Sequence, residues 1–173
     1  MHMLHLLRHA KSSWKEELED HERPLNRRGR EAARRVGQAL PAAVGALDLV
    51  LCSSARRTRE TLELIIAELA ARPRIVLEDE LYEASKDQLM DCLRRLAEET
   101  GNVLLIGHNP GLHELAMAIA DTNTAAFRAL SSGKFPTAAR ASFRVSEPWS
   151  GFGRLPYELV DYITAGSLRS DRD

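Results

Sequence analysis

The chain has 173 residues, with 24 Lys and Arg against 25 Asp and Glu and a formal net charge of −1. That length suits one well-buried domain spanning 1–173, and the near-balance of charge excludes a global field for nucleic acid or a membrane surface, so any anion must be met by a local cluster. Cys52 and Cys92 lack a CxxC spacing, which argues against zinc and a disulfide framework, and no leader or membrane-length apolar run is visible, so the cytoplasm is the expected compartment.

Met3, Leu4, Leu6 and Leu7 predict a short buried strand that ends on Arg8-His9 and runs into Ala10-Lys11-Ser12-Ser13-Trp14. Lys15 to Pro24 reads as a long charged loop. Asn26 is placed to cap a helix over Arg27 to Leu40, with Val36, Ala39, Leu40 and Val44 inward, Arg30, Arg34 and Arg35 outward, and Pro41 disturbing its end. A second strand, Leu47–Cys52, leads into Ser53-Ser54-Ala55-Arg56-Arg57 and a helix to about Ala71. Arg74–Glu78 is a third strand, Asp79–Ser85 a loop, and Lys86 to Glu99 a helix with Leu89, Cys92, Leu93 and Leu96 buried. The most continuous apolar strand, Val103–Ile106, is followed at once by Gly107-His108-Asn109-Pro110-Gly111 and a helix to about Asp121. Residues 120–136 are undecided. Ala141–Val145 and Leu159–Ile163 read as later strands, the last at an edge, and the tail after about 165 as loosely held, with Arg169–Asp173 solvated. Alternation of strand and helix implies an α/β fold, a mostly parallel central sheet with helices on both faces in three α/β/α layers.

Three predicted strands therefore deliver Arg8-His9, Arg56-Arg57 and Gly107-His108-Asn109 to the rim where such sheets bind ligands. Guanidinium forks and imidazoles converging there can hold a phosphoryl group and stabilise the charge that gathers on its oxygens. No carboxylate cluster with ligand spacing accompanies the histidines, and no Walker-type loop is present, so neither metal nor cofactor is expected. His2 and His5 are expected to be partly exposed or capped, and His113 structural. Trp14 and Trp149 could line a mouth or pack.

Leu-Leu-Arg-His-Ala-Lys-Ser-Ser-Trp, Arg-Pro-Leu-Asn-x-Arg-Gly, Ser-Ser-x-x-Arg-Thr-x-x-Thr, Glu-Leu-Tyr-Glu-Ala and Ile-Gly-His-Asn-Pro-Gly follow one another from Leu4 to about Val145. In that order they resemble the motifs of the histidine phosphatase superfamily, with its phosphoglycerate mutase-like fold, and most of all its short SixA-type phosphohistidine phosphatases. The resemblance implies that His9 is the nucleophile, that Arg8 and Arg57 (rather than Arg56) hold phosphoryl oxygens, and that His108 is the second pocket histidine, cationic or hydrogen-bonding to the phosphoryl group. Asn109 would add an amide donor at a helix start. Like-charged neighbours should keep His9 neutral.

The sequence departs from the mutase-type pattern in two places. Ala10, Lys11 and Lys15 replace Gly, Glu and Asn in the first loop, so the two lysines make the mouth, where Lys15 and Ser12 are candidate residues, more basic and suited either to an acidic substrate surface or to solvent. The mutase acid has no evident counterpart: Glu80 and Glu83 lie in the right region, and Asp20, with His21, is a further candidate that reads more simply as a solvated charge run. A P–N bond needs less of an acid than an ester does, since its leaving imidazole can already be protonated. The reading that follows is a metal-independent phosphatase acting on phosphohistidine of a protein partner. Its rivals are a broad phosphomonoesterase of small phosphate esters and a phosphate-recognition module with little turnover. Neither a nucleic acid nor a membrane is an expected partner.

Overall fold

The computed structural model describes residues 1–168, so the predicted solvation of Arg169–Asp173 lies outside the described residues. Strands β1 (His2–Arg8), β2 (Leu49–Ser53), β3 (Arg74–Glu78), β4 (Asn102–Gly107), β5 (Arg140–Val145) and β6 (Glu158–Ile163) form one sheet in the order β3-β2-β4-β1-β5-β6. β1, β4, β2 and β3 run parallel, and β5 and β6 close the far side antiparallel, β6 at the edge as expected. Because side chains alternate across a strand, Leu4, Leu6, Leu49, Leu51, Val103 and Leu105 enter one core, while Leu7, Val50, Cys52, Leu104 and Ile106 enter the other. Helices α1 (Arg27–Val44) and α2 (Arg56–Ile66) cover the second face, and α3 (Lys86–Arg94), α4 (Gly111–Ile119) and α5 (Ala125–Ser132) the first. The fold is three-layered, α/β/α.

Several elements differ from the sequence expectation for local reasons. α1 runs through Pro41 to Val44, because a proline in the last turn forfeits only one backbone bond before Gly45, at φ 70, ends the helix. α2 stops at Ile66 and α3 at Arg94, both short of prediction. Each ends in a turn tightened by three-residue bonds, Glu68 N to Ile65 O and Arg95 N to Cys92 O, and beyond them Pro73 and Gly101 begin the return. The undecided stretch contains α5, capped by Thr124. Ala39 and Arg35 are both half-buried. Of the two states expected for His2 and His5, the structure shows the capped one: both are buried, with hydrogen-bond partners at each ring nitrogen. The His2 ring lies between the carbonyls of Glu98 and Glu147 and stacks on Trp149, which is core and no part of a mouth. His5 bridges Ser142 Oγ and Asn102 Oδ1, both 2.7 Å away. His113 is structural, against the carbonyl of Leu130. Ala165 and Leu168 pack on the α1 side, so the tail is held as far as the structure is described.

The central strands β1, β2 and β4 are adjacent, and Arg8 is in register with Gly107. Their carboxyl ends therefore open side by side. Two glycines bring the flanking loops close. An added Cβ would lie 2.0 Å from the carbonyl oxygen of Lys11 at Gly29, and 2.0 Å from that of Ala84 at Gly111. Gly111→Ala is expected to cost about 1–3 kcal/mol, because a backbone carbonyl cannot swing aside as a side chain can. Urea denaturation of the variant measures it, and an unchanged midpoint would show that the loop before α3 yields freely.

Candidate active site

At the C-terminal rim of the sheet a cavity of about 400 Å³ is lined by residues that include Arg8, His9, Lys11, Ser12, Trp14 and Asp20 from β1 and the loop after it, with Arg57, Glu83, His108 and Asn109 from the other rim segments. Its wall carries Arg8, Lys11, Arg23 and Arg57 against Asp20 and Glu83, a local positive excess in a chain of net charge −1.

His9 is 6% exposed, and its Nδ1 lies 2.7 Å from the carbonyl oxygen of Ala10. A carbonyl only accepts, so Nδ1 carries the proton and Nε2 keeps its lone pair. Burial, more than the neighbouring Arg57 and Arg8 charges, pushes the His9 pKa down to about 3. The neutrality expected from like charges is present, but desolvation is its main cause. The His108 ring sits 5.3 Å from that of His9, centroid to centroid. Its Nε2 donates to Ser53 Oγ at 2.7 Å, while Nδ1 accepts from Arg57 Nη2 at 3.4 Å. A guanidinium can only donate, so this ring is neutral, and burial above all, with the neighbouring His9 ring and the Arg57 charge opposing a second cation, lowers its pKa to about 3. The cationic form of His108 considered from the sequence is not the resting state.

Arg57, 5% exposed, stands in the first turn of α2. The threonines after it order that turn: Thr58 Oγ1 donates to the carbonyls of Ser53 and Ala55, and Thr61 Oγ1 donates to Arg57 O and accepts from Ala10 N. Arg57 Nη1 donates to the main-chain oxygen of Asp20 (2.7 Å) and Nη2 to its carboxylate (3.1 Å). Arg8 Nη1 donates to Phe135 O at 3.4 Å, and burial lowers the Arg8 pKa. The Nε atoms of both Arg8 and Arg57 are buried without a hydrogen-bond partner. Both residues line the cavity, so their guanidinium groups place positive charge and donors beside any oxyanion it holds.

Asp20 is not the solvated charge read from the sequence. Its carboxylate also accepts from Arg23 Nε (3.1 Å) and from the Tyr82 hydroxyl, and these donors, Tyr82 foremost, hold its pKa down to about 2. It ties the long loop to α2 and stays ionised, so it is a poor acid. His21 turns to Ser54 Oγ and Glu22 instead. Glu80 is excluded from the site: it pairs with Arg95 at 2.5 Å beside a separate cleft under β3. Glu83 is exposed on the pocket wall with φ 53, a left-handed conformation that strains a non-glycine residue. Ser12 lines the pocket and accepts from Arg23 Nη1 at 2.7 Å, whereas Lys15 is exposed and lies outside the wall. Asn109 contributes in an unexpected way. Its side-chain amide donates to the carbonyls of Lys134 (3.0 Å) and Phe135 (2.8 Å) and holds that segment over the site.

Sequence reasoning missed Ser53, Tyr82 and Arg23 as parts of the site, while Thr137, in a segment (134–137) that the family resemblance allows to touch the site, lines the pocket. Tyr82 lay inside a quoted motif valued for its glutamates, and Arg23 follows Asp20 by three residues, a spacing that could have signalled the pair. Thr137 belongs to a segment where Phe135 and Ala138 take φ of 51 and 64, which no local pattern announces.

The three buried rings make stability pH-dependent with a definite sign. His5, His9 and His108 have folded pKa values of about 4, 3 and 3, against about 6.5 unfolded. Between those limits the unfolded chain binds more protons, so stability is full above about pH 7 and falls as pH drops through 6.5. Each ring is expected to cost about 2 kcal/mol at pH 5. Asp20 adds a loss only near pH 2 to 4. Urea midpoints at pH 8, 6 and 5 test this, and a flat profile would mean the rings are protonated in the fold.

An α/β sheet whose central strand ends bring two neutral imidazoles and two guanidinium groups around one cavity defines a phosphate-handling site. The chain belongs to the histidine phosphatase superfamily (branch 1), whose pattern matches residues 4–90. An uncharacterised protein of Mycobacterium tuberculosis (strain H37Rv) is 35% identical over 146 residues, 83% of this chain and 90% of the relative. Among solved structures, a SixA protein from Nakamurella multipartitia, provisionally assigned as a phosphohistidine phosphatase, superposes with a TM-score of 0.79 at 27% identity, covering 94% of this chain and 95% of that one. The protein histidine phosphatase SixA complexed with tungstate shares the fold at 22% identity, with a TM-score of 0.78 and coverage of 96% and 99%.

Proposed function

We propose that this protein is a metal-independent phosphatase that carries the phosphoryl group on His9 and takes it from phosphohistidine of a protein partner. The observation that carries the reading is the neutral, Nδ1-protonated ring of His9, which keeps its Nε2 lone pair in a cavity also lined by Arg8 and Arg57. His9 Nε2 attacks phosphorus in line, the P–N bond to the substrate breaks, and its electron pair stays on the departing ring. If that ring enters protonated on its other nitrogen, it leaves neutral and takes no proton from the enzyme. Water then attacks phospho-His9, releasing inorganic phosphate and restoring the imidazole.

The carboxylates of the wall fit this economy. Asp20 is held ionised, which leaves Glu83 as the group able to reach an alkoxide from the rim. The strained backbone of Glu83 is the one observation favouring the small-ester phosphomonoesterase.

The test is turnover of a phosphohistidine protein, phosphoramidate and an aryl phosphate, with and without EDTA, while probing for acid-labile phosphoenzyme. Phosphohistidine turnover indifferent to EDTA, with trapped phosphoenzyme, is expected. Loss with EDTA would refute the metal-free mechanism. Turnover of the aryl ester alone, abolished in Glu83→Gln, would establish the ester phosphatase instead. Binding without turnover would leave a recognition module.

A further inference from the structure

Trp14 is the one large apolar side chain on the wall of the phosphoryl pocket that is also open to solvent, at 77% exposure. Exposed indoles are usually free to turn, but this one is not. The Arg23 guanidinium carbon lies 3.5 Å from its ring centroid, a close cation–π stack. Arg23 is itself 6% exposed and fixed by Ser12 Oγ at 2.7 Å, Ser13 O at 3.2 Å and Asp20 Oδ1 at 3.1 Å. The same Asp20 holds Arg57. A buried cation, held through its Nε and Nη1, thus covers one face of the indole. The exposure that remains belongs to the other face and the ring edges, beside the cavity that holds His9. Folding gains little from an apolar surface left in water, whereas a rigid aromatic plane stacks on a flat ligand with small loss of side-chain entropy.

We infer that Trp14 determines specificity as a stacking platform for a planar leaving group, and so selects phosphorylated heteroaromatic rings, the imidazole of phosphohistidine among them, over leaving groups without a ring. This deepens the function proposed above and rests on it. The phosphoryl group fills the Arg8–Arg57–His9 cavity, and the ring it is leaving lies against the free face of Trp14. Stacking adds binding to ground and transition states alike, so its loss reads mainly in KM.

The experiment compares N-phosphoimidazole with phosphoramidate, which share a P–N bond and differ in the ring. In Trp14→Ala, kcat/KM for N-phosphoimidazole is expected to fall roughly 3- to 12-fold, chiefly through KM. Phosphoramidate should stay within about twofold, and Trp14→Phe should restore most of the loss. Equal losses on both substrates would overturn the proposal by making Trp14 a mere anchor for Arg23. No loss on either, or a loss confined to a phosphorylated protein, would overturn it as well, the latter in favour of protein docking. A parallel measurement does not depend on turnover: phenylphosphonate and methylphosphonate are titrated calorimetrically into the wild-type and Trp14→Ala proteins. Wild-type preference for phenylphosphonate that vanishes in the variant supports the platform, and an unchanged preference refutes it. Absence of turnover with both P–N compounds would count against the phosphatase reading alone.

Discussion

His9→Ala is expected to lower kcat/KM on a phosphohistidine substrate by about 10⁴-fold or more, the scale on which loss of a nucleophile registers. Nothing else on the pocket wall can replace it. The His108 ring directs Nε2 at Ser53 and Nδ1 at Arg57, so neither of its nitrogens is free to attack. The variant should nevertheless bind methylphosphonate within about threefold of wild type, because the Arg8 and Arg57 donors remain. Phosphate release and gel detection of alkali-stable phosphoenzyme check the first half, and calorimetric titration of methylphosphonate checks the second. Retention of a tenth of the wild-type rate, or an undiminished phosphoenzyme band, would remove His9 from the mechanism.

Arg57→Ala is expected to lower kcat by about 10²- to 10³-fold, the cost of one preorganised oxyanion donor. It should also do something that the equivalent change at Arg8 should not. Arg57 holds both the carboxylate and the main-chain oxygen of Asp20, so the loop over 15–24 keeps only the longer contacts of Glu22 with Arg56 and Arg59 of α2 and should become more sensitive to protease. Arg57→Lys keeps the charge without the fork or the Nε donor, and should recover little of the rate. Limited proteolysis beside steady-state kinetics separates the two effects. An Arg57→Ala protein with near-normal kcat would show that Arg8 and the helix ends suffice for the phosphoryl charge.

The pairing of Asp20 with Arg57 also explains why the long loop is ordered despite its composition. Lys15 to Glu22 contains little to bury, and on pattern alone it reads as solvent-facing. Its hold on the fold is polar: Asp20 meets Arg57, Arg23 and Tyr82 at one carboxylate. Such bonds depend on residues 3, 37 and 62 positions away, as their sequence separations show. Only the three-residue spacing of Asp20 and Arg23 is local; at the two longer separations periodicity carries no information.

The amino-acid sequence by itself determined the parallel α/β architecture and the strand ends that carry Arg8, His9, Arg57 and His108. Hydrophobic alternation and helical spacing are local properties, and ordered motifs mark where strands stop and turns begin. Only the tertiary structure decided which nitrogen of each histidine holds its proton, since that follows from Ala10 O, Ser53 Oγ and Arg57 lying where they do. It alone moved Asp20 into the site, sent Glu80 out to Arg95, and fixed Trp14 at the rim upon a buried cation. The physical reason is common to all of these. A polar side chain takes its role from the partner it meets at hydrogen-bond distance, and folding, not proximity along the chain, chooses that partner.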